Sequence, residues 1–349
     1  MLPAGTVKCW GLNVDGELGD GTTTNASRPM TVTGLSDVQA ITAGDYHSCA
    51  LLDSGTVQCW GYNFHGELGV GRDGPEMCSR RPGTTGQACS MTPVTVAGLS
   101  GVSALTAGAY QTCALLVSGT VQCWGYNAEG QLGDGGLKTS SKPVTVIGLN
   151  RVRAIASGGV TSCALLAGGS VKCWGNGFKA TPVTVAGLDD VEAITAGYYY
   201  ECALLVGGTV KCWGSNAFGQ LGNGTFKNSS RPVTVIGLRG MTAIAGGEDH
   251  VCALSGAGTV ECWGYDQWGQ LGARPNVTPT TNCGDGSPCH PTPVAVAGLG
   301  GVAAITAGFK HTCALSKTGS VWCWGYNGDG ELGDHGLRSS YTPVAVSGV

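Results

Sequence analysis

Cysteine is the residue type whose spacing carries the most chemical information in this chain. The triplet Cys-Trp-Gly occurs seven times, and six of its cysteines follow another cysteine by ten residues. Zinc sites use short Cys-x-x-Cys spacings with histidines nearby, and the ten-residue offset recurs without them. The pattern therefore predicts structural disulfides and indicates no metal centre.

A bond at this offset requires a hairpin that places the two cysteines opposite each other. In residues 49–59 the loop Asp53-Ser54-Gly55 puts a glycine where three-residue hairpin loops need a left-handed backbone. Counting outward pairs Leu52 with Thr56 and Cys49 with Cys59, at ~4.5 Å between Cα atoms, which is within disulfide range. The predicted pairs are Cys49–Cys59, Cys113–Cys123, Cys163–Cys173, Cys202–Cys212, Cys252–Cys262 and Cys313–Cys323, with Cys78–Cys89 and Cys283–Cys289 closing insertions at 72–91 and 273–291.

The triplets belong to a longer repeat, which is most regular at residues 93–125. Successive triplets lie 39 to 64 residues apart, around a base period near 50. Short apolar runs alternate with turn residues, and no stretch shows helical periodicity. Each repeat is expected to supply four strands, at TPVTV, VSALTAG, TCALL and GTVQCWG. Strands at this spacing and period favour a β-propeller.

The run from the Ala-Gly step at Ala107 through Cys-Ala-Leu and Trp-Gly to Gly133 resembles the regulator of chromosome condensation repeat. The resemblance covers essentially the whole chain and implies an all-β, seven-bladed propeller of four-stranded blades. We expect residues 1–349 to form one propeller domain. Its six full repeats are expected at about 29–61, 93–125, 143–175, 182–214, 232–264 and 293–325.

The two ends of the chain divide the remaining repeat. Residues 1–11 match the end of a repeat and residues 343–349 match its beginning. The sequence thus predicts a seventh blade that is split between the termini and incomplete, in which Cys9 has no partner. The chain is therefore interpreted as a gene fragment or a trimmed chain. The open strand edge of its incomplete blade would favour self-association.

Residues that vary between repeats are the candidates for function, since the framework is common to all of them. Three residues separate each Ala-Gly step from the next strand. In relatives of the resembled family that bind proteins, including a β-lactamase inhibitor protein, the first two of these positions rim one face and contact the partner. The positions nominated in this way are Asp45, Tyr46, Tyr110, Val160, Tyr198, Tyr199, Glu248, Asp249, Phe309 and Lys310.

These side chains predict an aromatic and acidic face that recognises a protein or a glycan, because aromatic anchors supply much of the energy of interfaces. The alternative is that some rings only cap the central channel. At the third position, His47, His250 and His311 match the framework histidine of the resembled family, which implies hydrogen bonds between blades. A second variable series follows the tryptophans and could form an aromatic ring or pack beneath loops; it consists of Leu12, Tyr62, Tyr126, Asn176, Ser215, Tyr265 and Tyr326.

A calcium site and a hydrolase active site are the alternatives to a binding face. Asn13, Asp15 and Asp20 alternate like calcium ligands, but the terminal glutamate of a calcium loop is missing and the Asp-Gly steps suit turns. Glu248, Asp249 and Asp45 offer paired carboxylates for a glycosidase-like hydrolase in the central funnel. No nucleophile elbow, metalloprotease motif or phosphate loop is present, so binding is favoured over catalysis and no cofactor is expected.

Charge and cysteine content limit the partners and the compartment. The net charge of −4 disfavours nucleic acid, which requires clustered lysine and arginine. The exchange activity that founding family members perform on a small GTPase is therefore not expected. Dense disulfides indicate a secreted, periplasmic or cell-surface protein, and no membrane span is visible. Arg72, Arg80 and Arg81, in the first insertion, could meet an acidic partner.

Overall fold

The computed structural model of the chain describes residues 5–71, 76–78, 86–273 and 281–349. Short β-strands joined by turns make up these residues, and no α-helix occurs among them. The strands fall into two compact units. The first unit runs to Ala167 and includes Val171–Thr184, and the second comprises Gly168–Ser170 and Val185–Val349.

The first unit contains four antiparallel sheets. Their strand orders are β1-β2, β3-β4-β5-β7-β6, β8-β9-β10-β11 and β12-β13-β14-β15. The strands are β1 (Lys8–Gly11), β2 (Ala26–Thr31), β3 (Val38–Ala43), β4 (His47–Leu52), β5 (Val57–Tyr62), β6 (Glu76–Cys78), β7 (Gln87–Thr95), β8 (Val102–Ala107), β9 (Gln111–Leu116), β10 (Val121–Gly125), β11 (Ser140–Thr145), β12 (Val152–Ser157), β13 (Thr161–Leu166), β14 (Val171–Gly175) and β15 (Val183–Thr184).

The second unit contains three antiparallel sheets. Their strand orders are β16-β17-β18-β19, β20-β21-β22-β24-β23 and β25-β26-β27-β28. The strands are β16 (Val191–Ala196), β17 (Tyr200–Leu205), β18 (Val210–Gly214), β19 (Ser229–Thr234), β20 (Met241–Gly246), β21 (His250–Ser255), β22 (Val260–Tyr265), β23 (Thr281–Asn282), β24 (Pro288–Ala295), β25 (Val302–Ala307), β26 (His311–Ser316), β27 (Val321–Gly325) and β28 (Ser340–Ala345).

The disulfide hairpins have the predicted register. The amide of Leu52 donates to the carbonyl of Thr56, Gly55 has φ of 77°, and Cys49 lies directly opposite Cys59. The six hairpin pairs are joined with Cα atoms 4.0–4.1 Å apart, and the two insertion pairs with Cα atoms 5.8 Å apart. Local hairpin geometry was sufficient to predict the six hairpin pairs, because each of those bonds joins residues ten apart in the chain. The two insertion pairs were predicted because each insertion contains its own two cysteines.

The prediction of a seventh blade divided between the termini is wrong. Val344, in the C-terminal strand β28, pairs with Cys323 in β27 and completes the last four-stranded sheet. Cys9 in β1 pairs instead with Met30 in β2, so the two-stranded sheet lies wholly near the N-terminus. The physical reason is that each TPVTV-like strand joins the sheet of the preceding Cys-Trp-Gly strand. Six sheets therefore contain the four strands of a blade, and β1-β2 forms a smaller sheet.

Tryptophan and the disulfides fill the space between neighbouring sheets. In one cluster, Trp124 packs with the Cys49–Cys59 disulfide of the preceding sheet and with Leu68 and Val102. Its indole nitrogen donates to the carbonyl oxygen of Glu67 at 2.7 Å. Equivalent clusters surround Trp60, Trp174, Trp263 and Trp324. Burial of a large ring that is also hydrogen-bonded makes these contacts the main source of cohesion between blades.

The insertions extend two sheets rather than forming separate domains. β6 pairs with β7 and β23 pairs with β24, so each adds a fifth strand at a sheet edge. The insertion disulfides tie these short strands to their neighbours. The candidate cations Arg72, Arg80 and Arg81 lie outside the described residues.

Candidate functional site

The nominated residues lie on loops that join the first and second strands of each sheet. A framework residue directly after each loop fixes its position. His47 Nε2 lies 2.8 Å from Thr112 Oγ1 in the next sheet, and His250 Nε2 lies 2.9 Å from Thr312 Oγ1. The expected hydrogen bonds between blades are thus confirmed for these two histidines. Burial lowers the pKa of His47 to about 4 and that of His250 to about 3, so both rings are neutral structural groups.

The Ala-Gly step before each loop has a steric origin. A Cβ atom on Gly44 would clash with the backbone carbonyl oxygen of Gly108 in the next sheet and would lie 2.7 Å from Cε1 of His47. Glycine is therefore required where the loop packs against the neighbouring backbone and the framework side chain. Gln111 fills the same role in another repeat, where its amide donates to the Gly158 carbonyl at 3.0 Å.

A recurring backbone hydrogen bond joins the two variable series. After six of the seven Cys-Trp-Gly triplets, the next residue donates its amide to the carbonyl of the second loop residue. The bond from Tyr62 to Tyr46 measures 2.8 Å, as does that from Tyr126 to Tyr110. Four further repeats have the same bond at 2.9–3.0 Å, from Asn176, Ser215, Tyr265 and Tyr326. The two variable series therefore form one surface within each of these blades, although they are separate features in the sequence.

In the first unit, this arrangement assembles six rings into what we call the first-unit cluster, formed by Tyr46, Tyr62, Phe64, His65, Tyr110 and Tyr126. Tyr46 and Tyr110, from neighbouring sheets, stack with ring centroids 5.7 Å apart and an interplanar angle of 25°. Tyr62 lies 6.0 Å from Tyr46 and 6.2 Å from Tyr110. His65 bridges Tyr110 at 5.7 Å and Tyr126 at 4.8 Å. Phe64 is 59% exposed, so the cluster reaches the solvent.

Two nominated residues of the first unit, Val160 and Asp45, are not part of this cluster. Val160 is buried and offers little surface to a partner. Asp45 directly precedes Tyr46 in the chain and is half-buried. Burial raises the pKa of Asp45 to about 6, and no cation of the described residues offsets that effect.

In the second unit, nominated residues form a mixed group that we call the second-unit cluster: Tyr198, Tyr199, Glu248, Asp249, Phe309 and Lys310. The ring centroid of Tyr198 lies 4.7 Å from that of Tyr199 and 6.4 Å from that of Phe309. Tyr199 and Phe309 are exposed. Backbone hydrogen bonds from Tyr198 to Glu248 and from Glu248 to Phe309 hold the three loops together.

The carboxylates of the second-unit cluster are engaged by neighbouring side chains. Lys310 Nζ lies 4.0 Å from Glu248 Oε2 and 5.1 Å from the centroid of the Phe309 ring. Gln220 donates to Asp249 Oδ1 at 3.0 Å. Burial raises the pKa of Asp249 to about 6, and Lys310 and Gln220 oppose that rise. Asp45, the third carboxylate suggested for a hydrolase, lies in the first unit.

The sequence did not single out another recurrent aromatic position, the fourth residue after a Cys-Trp-Gly triplet. His65, Phe218 and Trp268 occupy it. Each packs against the tyrosine of the next sheet, with centroid distances of 4.8 Å to Tyr126, 4.8 Å to Tyr265 and 5.2 Å to Tyr326. The signal in the sequence was that this position varies between repeats while an asparagine or aspartate recurs two residues earlier.

The loops that superficially resemble calcium sites use their oxygens for their own turns. Asn13 Oδ1 accepts the amide of Leu18 at 2.9 Å, and Asp20 Oδ1 accepts from the amide of Thr22 at 2.9 Å. Asn127 and Asn327 accept the equivalent leucine amides. Within the described ranges, no group of three His, Cys, Asp or Glu side chains is arranged to hold a metal ion.

Comparison with solved structures shows the fold class of the chain. The chain superposes on the yeast protein Prp20p from Saccharomyces cerevisiae with a TM-score of 0.86 at 23% identity, covering 100% of this chain and 87% of Prp20p. It superposes on yeast RCC1 (Prp20) bound to Kap60 with a TM-score of 0.85 at 23% identity, covering 98% and 83%. For human WBSCR16 the TM-score is 0.80 at 20% identity, covering 98% and 94%. The fold is an all-β propeller.

Family models identify the repeat itself. The regulator of chromosome condensation (RCC1) repeat matches residues 38–67, 102–131, 152–179, 191–220 and 302–331 in one form, and 4–51, 118–165, 207–254 and 257–315 in a second form. These matches span well over half of the chain. The protein belongs to the RCC1 repeat family, as the resemblance implied. Among its structural relatives, Prp20p is described with binding properties to Gsp1p and histones.

Proposed function

We propose that this protein is a recognition module that binds another protein through the loops described above. The observation that carries the proposal is the first-unit cluster, in which six rings from neighbouring sheets meet at a partly exposed surface. Interfaces concentrate their binding energy in rigid aromatic anchors. The framework holds these rings by backbone bonds, so little conformational entropy is lost on binding.

The second-unit cluster supports the same function. Tyr199 and Phe309 expose apolar ring surface, while Glu248, Asp249 and Lys310 supply charges beside it. Apolar area flanked by charged groups is the composition of a protein-binding surface, in which charge sets specificity and the rings supply affinity. Protein binding is also what is described for the structural relative Prp20p.

We further propose that the protein works in an oxidising compartment, as a secreted, periplasmic or cell-surface protein. Eight cysteine pairs are joined, and such a density persists where thiols are not kept reduced. No described helix has the length and apolar character to cross a membrane. Mass spectrometry of the endogenous protein after alkylation, with and without reduction, tests this point. The sixteen paired cysteines are expected to be blocked before reduction and only Cys9 to react, and alkylation of the paired cysteines without reduction would contradict the proposal.

The test of recognition is a binding screen against arrays of secreted proteins and glycans. Wild-type protein is compared with Tyr110→Ala in the first-unit cluster, Tyr199→Ala in the second-unit cluster and Val117→Ala as a control. Val117 is 79% exposed at a hairpin tip outside both clusters. Loss of one interface anchor weakens binding by about 2 kcal/mol or more. We expect a protein ligand whose binding falls about thirtyfold in a tyrosine variant and is unchanged in the control.

Other outcomes assign a different function to the same face. Saturable binding confined to glycans, lost with the same tyrosines, would make the clusters a carbohydrate-stacking surface. Turnover of a chromogenic glycoside that Glu248→Gln abolishes would establish a hydrolase and overturn the proposal. Protein binding that both tyrosine variants retain would place the interface elsewhere.

A further inference from the structure

The first two loop positions of different repeats allow a direct comparison of how a surface carboxylate is neutralised. Glu248 and Asp45 both occupy the first position after an Ala-Gly step. For Glu248, the second position of the next repeat is Lys310, whose Nζ lies 4.0 Å from the carboxylate. For Asp45, the corresponding residue is Tyr110.

The second-unit cluster thus contains a carboxylate, a cation and a ring in contact. Lys310 approaches Glu248 on one side and the Phe309 ring, at 5.1 Å from its centroid, on the other. Ammonium and guanidinium groups are attracted both to carboxylates and to the faces of aromatic rings. The chain supplies all three components of this arrangement itself.

Next to the rings of the first-unit cluster, the described residues place a carboxylate, that of Asp45, but no paired cation. Asp45 precedes Tyr46, which stacks on Tyr110 from the next sheet. Among the described residues, no lysine or arginine forms an ion pair with Asp45. A half-buried carboxylate without a cation is poorly solvated, and burial accordingly raises its pKa to about 6.

We infer that the first-unit cluster binds a cationic side chain of its protein partner, an arginine in a basic segment, between Asp45 and the rings of Tyr46 and Tyr110. The partner's cation takes the role that Lys310 has in the second unit. Arginine is favoured over lysine because a planar guanidinium both stacks on tyrosine and forms paired hydrogen bonds with a carboxylate. This inference rests on the proposed function and specifies the partner's chemistry.

The test uses fluorescence anisotropy at physiological salt with three short labelled peptides, which alternate glycine with arginine, lysine or glutamate. We expect the arginine peptide to bind more tightly than the lysine peptide, and the glutamate peptide not to bind. Asp45→Asn should weaken arginine-peptide binding about tenfold or more, since it removes the charge that pairs with the guanidinium. Asp53→Asn is the matched control, because Asp53 is an exposed carboxylate at the other end of the same strand.

Two exchanges between the repeats test the comparison itself. Tyr110→Lys supplies the cation from the chain and should abolish arginine-peptide binding. Lys310→Tyr removes it from the second unit and should create a second site at Glu248, which raises the stoichiometry. Thermal unfolding of each variant establishes that it is folded.

Failure of this inference can be distinguished from failure of the proposed function. Equal arginine-peptide binding by wild type, Asp45→Asn and Asp53→Asn would reflect only the negative net charge and would overturn the inference. Absence of arginine-peptide binding would also overturn it. A protein ligand that depends on Tyr110 but not on the Asp45 charge would leave the proposed function standing alone.

Discussion

Replacing Glu67 with glutamine should stabilise the protein, because Glu67 is a fully buried carboxylate in the framework. Its Oε2 accepts the amide of His65 at 2.9 Å, while its Oε1 is buried without a hydrogen-bond partner. Burial raises the pKa of Glu67 from an ordinary value of 4.5 to about 8, and the nearby carboxylate of Asp15 adds to the rise. Glutamine would preserve the amide hydrogen bond and remove the charge.

The repeats show that glutamine fits this position. Gln131, Gln220 and Gln270 occupy it in other sheets, and each accepts the equivalent amide at 2.9 Å. Each is buried to the same degree as Glu67. Glu67→Gln therefore introduces a side chain that already packs and forms the same hydrogen bond at the equivalent position of three other sheets.

The magnitude and its pH dependence follow from the two pKa values. Between pH 4.5 and about 8 the folded state holds a proton on Glu67 that the unfolded chain lacks, so the contribution of this group to stability falls as pH rises. The upper limit is ~5 kcal/mol above pH 8. Relaxation and water penetration reduce this value, and we expect Glu67→Gln to stabilise by roughly 1–3 kcal/mol at pH 8 and by much less at pH 5.

Differential scanning calorimetry at pH 5 and pH 8 measures this difference, which should appear as a rise in Tm of roughly 1–4 °C at pH 8. Glu129→Gln is the control, since Glu129 is exposed two residues from the equivalent position. Gln131→Glu should have the opposite effect and introduce the same pH dependence. A stability gain in Glu67→Gln that is equal at both pH values, or a loss at pH 8, would refute the assignment of a raised pKa.

Three further changes probe the framework. Cys113→Ala combined with Cys123→Ala should lower the free energy of unfolding by about 2–4 kcal/mol, measured by guanidinium unfolding, because the hairpin is no longer closed covalently. An unchanged midpoint would contradict a structural role. Asn127→Ala should destabilise by about 2 kcal/mol in the same assay, since the buried asparagine accepts one amide and donates to two carbonyls. Thr112→Val should cost about 1–2 kcal/mol in thermal unfolding by leaving His47 Nε2 unsatisfied, and a neutral result would show that water replaces the hydroxyl.

The sequence predicted those features that depend on neighbours along the chain. The Cys49–Cys59 pairing follows from a hairpin of known loop length, and the four strands of each repeat follow from alternation and turn residues. The partner of the strand at 340–345 did not follow, because a repeat does not specify which copy of the strand it pairs with. In the structure this strand, β28, pairs with β27, the strand that precedes it in the chain.

The candidate site was predicted only in part for a similar reason. Tyr46 and Tyr110 were nominated individually, but their stacking results from the distance between two sheets, which no single repeat encodes. Phe64 and His65 were missed because their loop appeared to be a variable turn. The raised pKa of Asp45 and that of Glu67 likewise result from burial in the folded structure, which the sequence of one repeat does not show.

The backbone bond between the variable series explains how such a surface can change without loss of the fold. The amide of Tyr126 and the carbonyl of Tyr110 form it with main-chain atoms alone, and Ser215 and Tyr199 form it equally well. Side chains at both positions are therefore free to be tyrosine, valine, lysine or serine while the loops keep their relation. Stability is supplied by tryptophan, the disulfides and the buried asparagine or aspartate, none of which lies at these positions. Substitutions in the clusters should consequently alter binding far more than stability, whereas substitutions in the framework should do the reverse.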